Sequence, residues 1–217
     1  MHNKKLNDSY NDQYQLFSYF RLINDPNDLI YHERTYYIYM QNTPYSDDHK
    51  NKSWLLYTTK DFINYVYEGI VLTPLCEFNK HGVFSGGAFV NENNEIDLYY
   101  TGNIKDENNK RMSNTLIENV DFKNKKVNKK LLFQTDLSLY TGEFRDPNIV
   151  KKGENIFMLN GAQNNDKKGV LSIYKKENNL WKYFKDIKLD LGCEQNRFMV
   201  ECTNYFKIDN REFILSC

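Results

Sequence analysis

The chain has 217 residues, of which 40% are hydrophobic and 15% aromatic, so it can bury the core of one large domain or two small ones and is not a disordered chain. Its 29 Lys and Arg balance 29 Asp and Glu, and a net charge of zero excludes an electrostatic grip on nucleic acid or an anionic membrane. No run approaches the ~18 consecutive apolar residues of a membrane span.

The opening MHNKKLNDSYNDQY reads as a polar lead-in over residues 1–15, without the apolar stretch of a secretory signal. Cys76, Cys193, Cys202 and Cys217 are scattered with no CxxC pair, which argues against zinc and suits reduced thiols in a cytoplasm. From there four segments share a plan of polar turn, short strand, second turn, and a more apolar or aromatic strand. They are DPNDLIYHERTYYIYMQN from Asp25, SGGAFVNENNEIDLYYTGN from Ser85, DPNIVKKGENIFMLNGAQ from Asp146 and ECTNYFKIDNREFILSC from Glu201, spaced by 60, 61 and 55 residues. The two Asp-Pro-Asn strings are, locally, turn chemistry. Abundant Tyr and Phe favour strands, and with only 10 glycines the turns must lean on Asn and Asp.

Between these segments lie further strand-like pieces: SWLLYTTKDFINYVYEG, LLFQTDL and GVLSIYKKENNLWKYFK. Two carry a charged turn followed by an aromatic residue, Tyr65 and Trp181. The Lys- and Asn-rich stretch 103–130 reads as loop or edge-strand surface. A unit of about four strands recurring every ~40–60 residues is the signature of a β-propeller blade. An all-β sandwich is the competing architecture.

In a propeller the first strand of each blade lines the central channel, so residues at equal phase converge. Asp25, Asp146 and Glu201 share that phase, with Ser85 in the remaining repeat. Two carboxylates flanking a bond are the working parts of a glycosidase. Glu201, in the apolar string MVECTNYF with no adjacent base, suits the proton donor. Asp25, between Asn24 and Pro26, suits an ionised nucleophile. Asp146 follows Arg145, whose charge is expected to keep it ionised and able to hold sugar hydroxyls. Calcium is disfavoured, because no DxDxDG-like loop gathers oxygens.

Five strings in order, INDPNDLIY, MQNTP (40–44), VFSGGAFV (83–90), FRDPNIV and VECTNYF (200–206), resemble the signatures of the invertase and sucrose-6-phosphate hydrolase family, family 32 of the glycoside hydrolases. The resemblance implies an all-β, five-bladed propeller and a retaining β-fructofuranosidase with no cofactor and no metal. It implies that Asp25 forms a covalent fructosyl-enzyme, that Glu201 is acid then base, and that Asp146 with Arg145 holds the fructosyl hydroxyls. Asn24, Pro26, Asn27, Gln41, Phe84 and Ser85 would line the same subsite, with Trp54 a further candidate. Trp54 and Trp181 also read as core, and Cys202 as a packed thiol.

The sequence departs from the family pattern at Asp28, where the family has Gly, at Leu22 and Ile23, and at Val200–Asn204. A Trp-Gly-His segment has become Trp54-Leu55-Leu56. Family members continue past the fourth repeat with the rest of that blade, a fifth blade and a carboxy-terminal sandwich. Residues 16–217 therefore read as about three and a half to four blades, the N-terminal part of a catalytic domain, with a complementing chain one source of the remainder. The expected substrate is sucrose 6-phosphate or sucrose in the cytoplasm. The alternatives are a fructan substrate and an inactive or sugar-binding fragment. No phosphate-binding cation can be picked from the lysines.

Overall fold

The structure is a computed structural model that describes residues 16, 22–45, 51–121, 126–188 and 198–217. The lead-in 1–15 and Cys193 lie outside the described residues. Blade I is the antiparallel sheet β1 (Leu22–His32), β2 (Thr35–Thr43), β3 (Ser53–Thr59) and β4 (Tyr65–Leu72). Blade II is β5 (Val83–Val90), β6 (Ile96–Lys105), β7 (Arg111–Asp121) and β8 (Lys126–Gln134). Blade III is β9 (Tyr140–Lys152), β10 (Asn155–Asn164), β11 (Gly169–Glu177) and β12 (Leu180–Lys188). Blade IV begins with the hairpin β13 (Asn204–Ile208) and β14 (Arg211–Leu215), and the pairing reaches back to Glu201, whose N–H and C=O bond the C=O and N–H of Cys217. There is no helix among the described residues, so none is long and apolar enough to cross a membrane.

Hairpin turns explain how so few glycines suffice. β1–β2 and β11–β12 are two-residue connections with both residues at positive φ: Glu33 (46°) with Arg34 (61°), and Asn178 (50°) with Asn179 (63°). That is the geometry of the turn that matches strand twist. Asn94, Asn109 and Asp209 fill other left-handed positions. The expected reliance on Asn and Asp holds there but not at Glu33–Arg34.

The core lies between neighbouring blades, which separates a propeller from a two-sheet sandwich. Tyr39, Trp54, Leu56 and Leu72 of blade I close on Val83, Leu98, Tyr100 and Leu116 of the next segment. Tyr99 and Phe133 of blade II then close on Tyr140, Phe144, Met158 and Tyr174 of blade III. Tyr99 and Tyr100 therefore serve opposite interfaces, as strand alternation dictates. The rings meet tilted or edge-on, as at Trp54–Tyr100 (6.2 Å) and Phe144–Tyr174 (6.0 Å), and stacked at Phe133–Tyr174 (4.8 Å). The inner strands meet in turn, β1 on β5, β5 on β9 and β9 on β13, and β9 also packs against β6 and β7 of blade II.

The stretch 103–130 differs from the surface reading. It contains β7, an interior strand of blade II whose Ser113, Asn114, Thr115, Leu116 and Glu118 are buried. Its charges mislead because Glu118 is neutralised inside the fold by Lys129 at 3.1 Å.

The two Asp-Pro-Asn strings also differ from their local reading. Neither is a turn, and both lie inside strands. The β1–β2 register shifts on both sides of Pro26, and the β9–β10 register shifts between the pairs Leu159–Asn148 and Gly161–Arg145. The β5–β6 register shifts between Phe84 and Gly86. Proline cannot donate to a ladder, and a bulge is where a strand tolerates it. β1, β5 and β9 are thus each bulged at the height where their site residues sit.

The segment leading into blade IV is seated closely on blade III. A Cβ on Gly161 would stand 2.1 Å from the Val200 carbonyl oxygen and 3.1 Å from the Cα of Glu201. Gly161→Ala should cost about 1–3 kcal/mol by overpacking. A denaturant midpoint unchanged from wild type would refute this seating.

Candidate active site

Asp25, half-buried on the bulge of β1, accepts a hydrogen bond at Oδ2 from the Ser85 hydroxyl on β5 (3.2 Å). That hydroxyl accepts from Gln41 Nε2 (2.7 Å), and Gln41 Oε1 accepts from Asn24 Nδ2 (3.1 Å). Asn27, with its amide turned to suit its neighbours, donates to Ser85 Oγ (3.1 Å) and accepts from Trp54 Nε1 (3.0 Å) and the Gln41 N–H (3.1 Å). With two bonds arriving at its oxygen, Ser85 has one hydrogen left, and it goes to Asp25. Five polar groups from blades I and II thereby fix one carboxylate.

Most of these groups work from beneath. Gln41 is 1% exposed and Ser85 7%, and Asn27 is buried. Trp54 is fully buried, wedged between Tyr39 and Tyr100, so it is a core residue and not a wall of the subsite. Leu55 and Leu56 beside it are core as well. Pro26 is exposed, and Phe84 is half-buried.

Asp146 is 5% exposed and takes positive φ (59°) in the β9 bulge. Its N–H donates to Thr101 Oγ1 of blade II (2.8 Å), and its Oδ2 accepts from the Cys202 N–H of blade IV (2.8 Å). Cys202 is itself at positive φ (52°), so the two chains turn toward each other. Burial pushes the Asp146 carboxyl up to about 6; the Cys202 N–H and then Arg145 pull it down, and Glu201 and Asp25 push it up. Arg145 does pull the carboxyl down, as its charge requires, but burial outweighs it and the net shift is upward. The reason is geometric, because Arg145 turns to Glu143 and, at 3.1 Å, to Glu201.

The surroundings expected of Glu201 are corrected. Its side chain is 44% exposed and ion-paired with Arg145, not set among apolar groups without a base. The sequence hid this because the partner lies 56 residues back, on another blade. The three acids nonetheless share one field, since Asp146 and the Cys202 thiol each sense both Asp25 and Glu201.

Sequence reasoning missed Lys52 and Arg111. Both reach the Phe84 ring, Lys52 Nζ at 4.9 Å and Arg111 Cζ at 5.4 Å from its centroid. Arg111 also pairs with Glu143 at 2.9 Å. Arg111 lies in the charge run read as surface, and no local signal separates it from its neighbours.

Asp28, where the family pattern has Gly, has its own use. Its Oδ2 accepts from the Ala88 N–H of blade II (2.5 Å) and its Oδ1 from the Leu29 N–H (2.7 Å), tying blade I to blade II. A Cβ on Gly87 would sit 3.1 Å from that Oδ2 and 3.2 Å from the Pro147 carbonyl of blade III, so three inner strands crowd here.

Blades wound around an axis, with carboxylates converging at one height of the inner strands, define a propeller of the glycosidase class. A family model described as "Glycosyl hydrolases family 32 N-terminal domain" matches residues 18–217, and the chain belongs to that family. It is 35% identical over 200 residues to the sucrose-6-phosphate hydrolase of Vibrio alginolyticus, covering 90% of this chain and 40% of that one. It is 35% identical over 199 residues to that of Lactococcus lactis subsp. lactis, covering 90% and 42%. The solved sucrose-6-phosphate hydrolase of Lactobacillus gasseri superposes with a TM-score of 0.89 at 27% identity, over 99% of this chain and 44% of that one. A Bombyx mori β-fructofuranosidase of family 32 shares the fold, with a TM-score of 0.76 at 21% identity over 92% and 42%. The chain spans about two fifths of the length of the curated relatives it matches.

Two outcomes follow from these contacts. Ser85→Ala strips Gln41 and Asn27 of a buried acceptor and should destabilise the chain by about 1–3 kcal/mol, read as a lower urea midpoint. Burial raises the Asp28 carboxyl to about 6. With the folded value above the unfolded one, its contribution is fully present below the unfolded value and is lost as pH rises through about 6. Asp28→Asn removes that titration, so the stability of wild type relative to the variant should fall as pH rises from about 4 to about 6. A pH-independent difference would exclude it.

Proposed function

We propose that this chain carries the fructosyl-binding half of a retaining β-fructofuranosidase acting on sucrose 6-phosphate or sucrose. The observation that carries the reading is the convergence of Asp25, Asp146 and Glu201 from blades I, III and IV: Asp146 accepts from the N–H of the residue after Glu201 and senses the charges of both other acids. The relatives named as sucrose-6-phosphate hydrolases support the phosphorylated substrate over a fructan. Free thiols at Cys76, Cys202 and Cys217 suit a reducing cytoplasm.

Chemistry follows from the contacts. Ser85 holds Asp25 by Oδ2, which leaves its other oxygen to attack the anomeric carbon of the fructosyl unit. The glycosidic C–O bond breaks as Glu201 gives its proton to the departing glucosyl oxygen. Glu201, now a carboxylate, takes a proton from water. The water oxygen displaces Asp25 from the anomeric carbon, restoring both acids. Arg145 reaches Glu201 and so holds it at the pocket. Asp146 has Oδ2 tied to Cys202 and offers Oδ1 to sugar hydroxyls, most strongly once ionised above about 6.

The test is release of glucose 6-phosphate or glucose from the two sugars by the purified chain. Asp25→Asn and Glu201→Gln should each lower turnover by at least ~10²–10⁴-fold. A fructosyl adduct should be trapped on the peptide containing Asp25. Turnover that survives Glu201→Gln would remove the acid–base assignment. A folded chain that binds these sugars without cleaving them would leave the sugar-binding reading in its place.

A further inference from the structure

Two cations at the site have no task in the steps above. Lys52, just before β3 in blade I, and Arg111, at the start of β7 in blade II, both stand over the Phe84 ring of β5. Their backbones are fixed: the Lys52 carbonyl accepts from the Val83 N–H (2.8 Å), and the Arg111 carbonyl lies where a Cβ on Gly142 would meet it at 1.8 Å.

Their charges are poorly matched by the protein. Lys52 makes no ion pair among the described residues. Arg111 shares the single carboxylate of Glu143 with Arg145, and its own Nε is buried without a partner. Desolvation lowers the affinity of both side chains for their protons, Lys52 despite the pull of Asp25 and Asp146. Half-buried, under-compensated cations cost stability unless an anion completes them. The Phe84 ring attracts both cations without neutralising either.

Position identifies the anion. Arg111 is joined through Glu143 and Arg145 to Glu201, the residue that protonates the leaving group in the reading above, and it senses that acid's charge. Arg111 therefore borders the leaving-group side, and Lys52, which senses Asp25 and Asp146, meets it at the Phe84 ring between the two sides of the bond to be cleaved; in sucrose 6-phosphate the leaving glucosyl unit bears the phosphate. A phosphoryl dianion has enough acceptor oxygens for an Arg fork and a Lys ammonium at once.

We propose that Lys52 and Arg111, held over Phe84, clamp the phosphate of the departing hexose and make the site select phosphorylated over free sugar. This rests on the reading above for the side of the pocket, and the test separates the two. Calorimetric titration of the folded full chain with glucose 6-phosphate and with glucose needs no turnover. The wild type should bind the phosphorylated sugar at least tenfold more tightly. Lys52→Gln and Arg111→Gln should each remove most of that gap, Lys52→Arg should keep much of it, and Lys168→Gln on the surface should not change it. Equal binding of both sugars by the wild type, no binding of glucose 6-phosphate, or equal weakening of both sugars by the variants would overturn the clamp while leaving the hydrolytic reading to its own assay. Where the chain turns over, the ratio of kcat/KM for sucrose 6-phosphate to that for sucrose should fall at least tenfold in Lys52→Gln. An equal loss on both substrates would make these cations mere supports of the acids and would overturn the clamp as well.

Discussion

Everything at this site depends on the inner strands being bulged at one common height. A regular strand sends alternate side chains to opposite faces, into the two interfaces between blades. To aim a carboxylate along the axis the strand must break that alternation. Pro26 and Pro147, which have no N–H to give, make a break compatible with the ladder. The register shifts at β1, β5 and β9 are the structural result, and Asp25, Ser85 and Asp146 lie at them. Asp146 and Cys202 take left-handed conformations that few residues other than Gly, Asn and Asp adopt readily, and the Cys202 N–H bond to Asp146 uses both turns.

Gathering acids this way creates an electrostatic problem that the fold solves with groups from several blades. Glu143 sits between Arg111 and Arg145, and Arg145 passes on to Glu201. Asp146 is stabilised mainly by a backbone N–H, and burial still dominates it. Asp25 instead receives a neutral hydroxyl, itself oriented by two amides. The acids thus have different partners at one location, which is how like groups come to play unlike parts. Asp28 shows the same economy away from the pocket. A carboxylate replaces the family glycine and uses both oxygens on backbone donors, one of them in the next blade.

The sequence by itself determined the repeat, the all-β class, the blade order and the three acids. Each rests on local information: strand-forming aromatics, short polar turns, and motif strings whose residues are neighbours in the chain. Tertiary structure alone decided what surrounds those acids. Asp-Pro-Asn looks like a turn until the flanking ladder is seen to continue through it. The run 103–130 looks like surface until Lys129 is found beside Glu118 inside the fold. Trp54 reads both as core and as a subsite candidate until Tyr39 and Tyr100 enclose it. Arg145 adjoins Asp146 in the chain yet serves Glu201, because strand alternation points neighbours apart and blade closure brings distant residues together. Lys52 and Arg111 carried no signal at all, since a cation's worth depends on which charges and rings it meets, and those come from other blades.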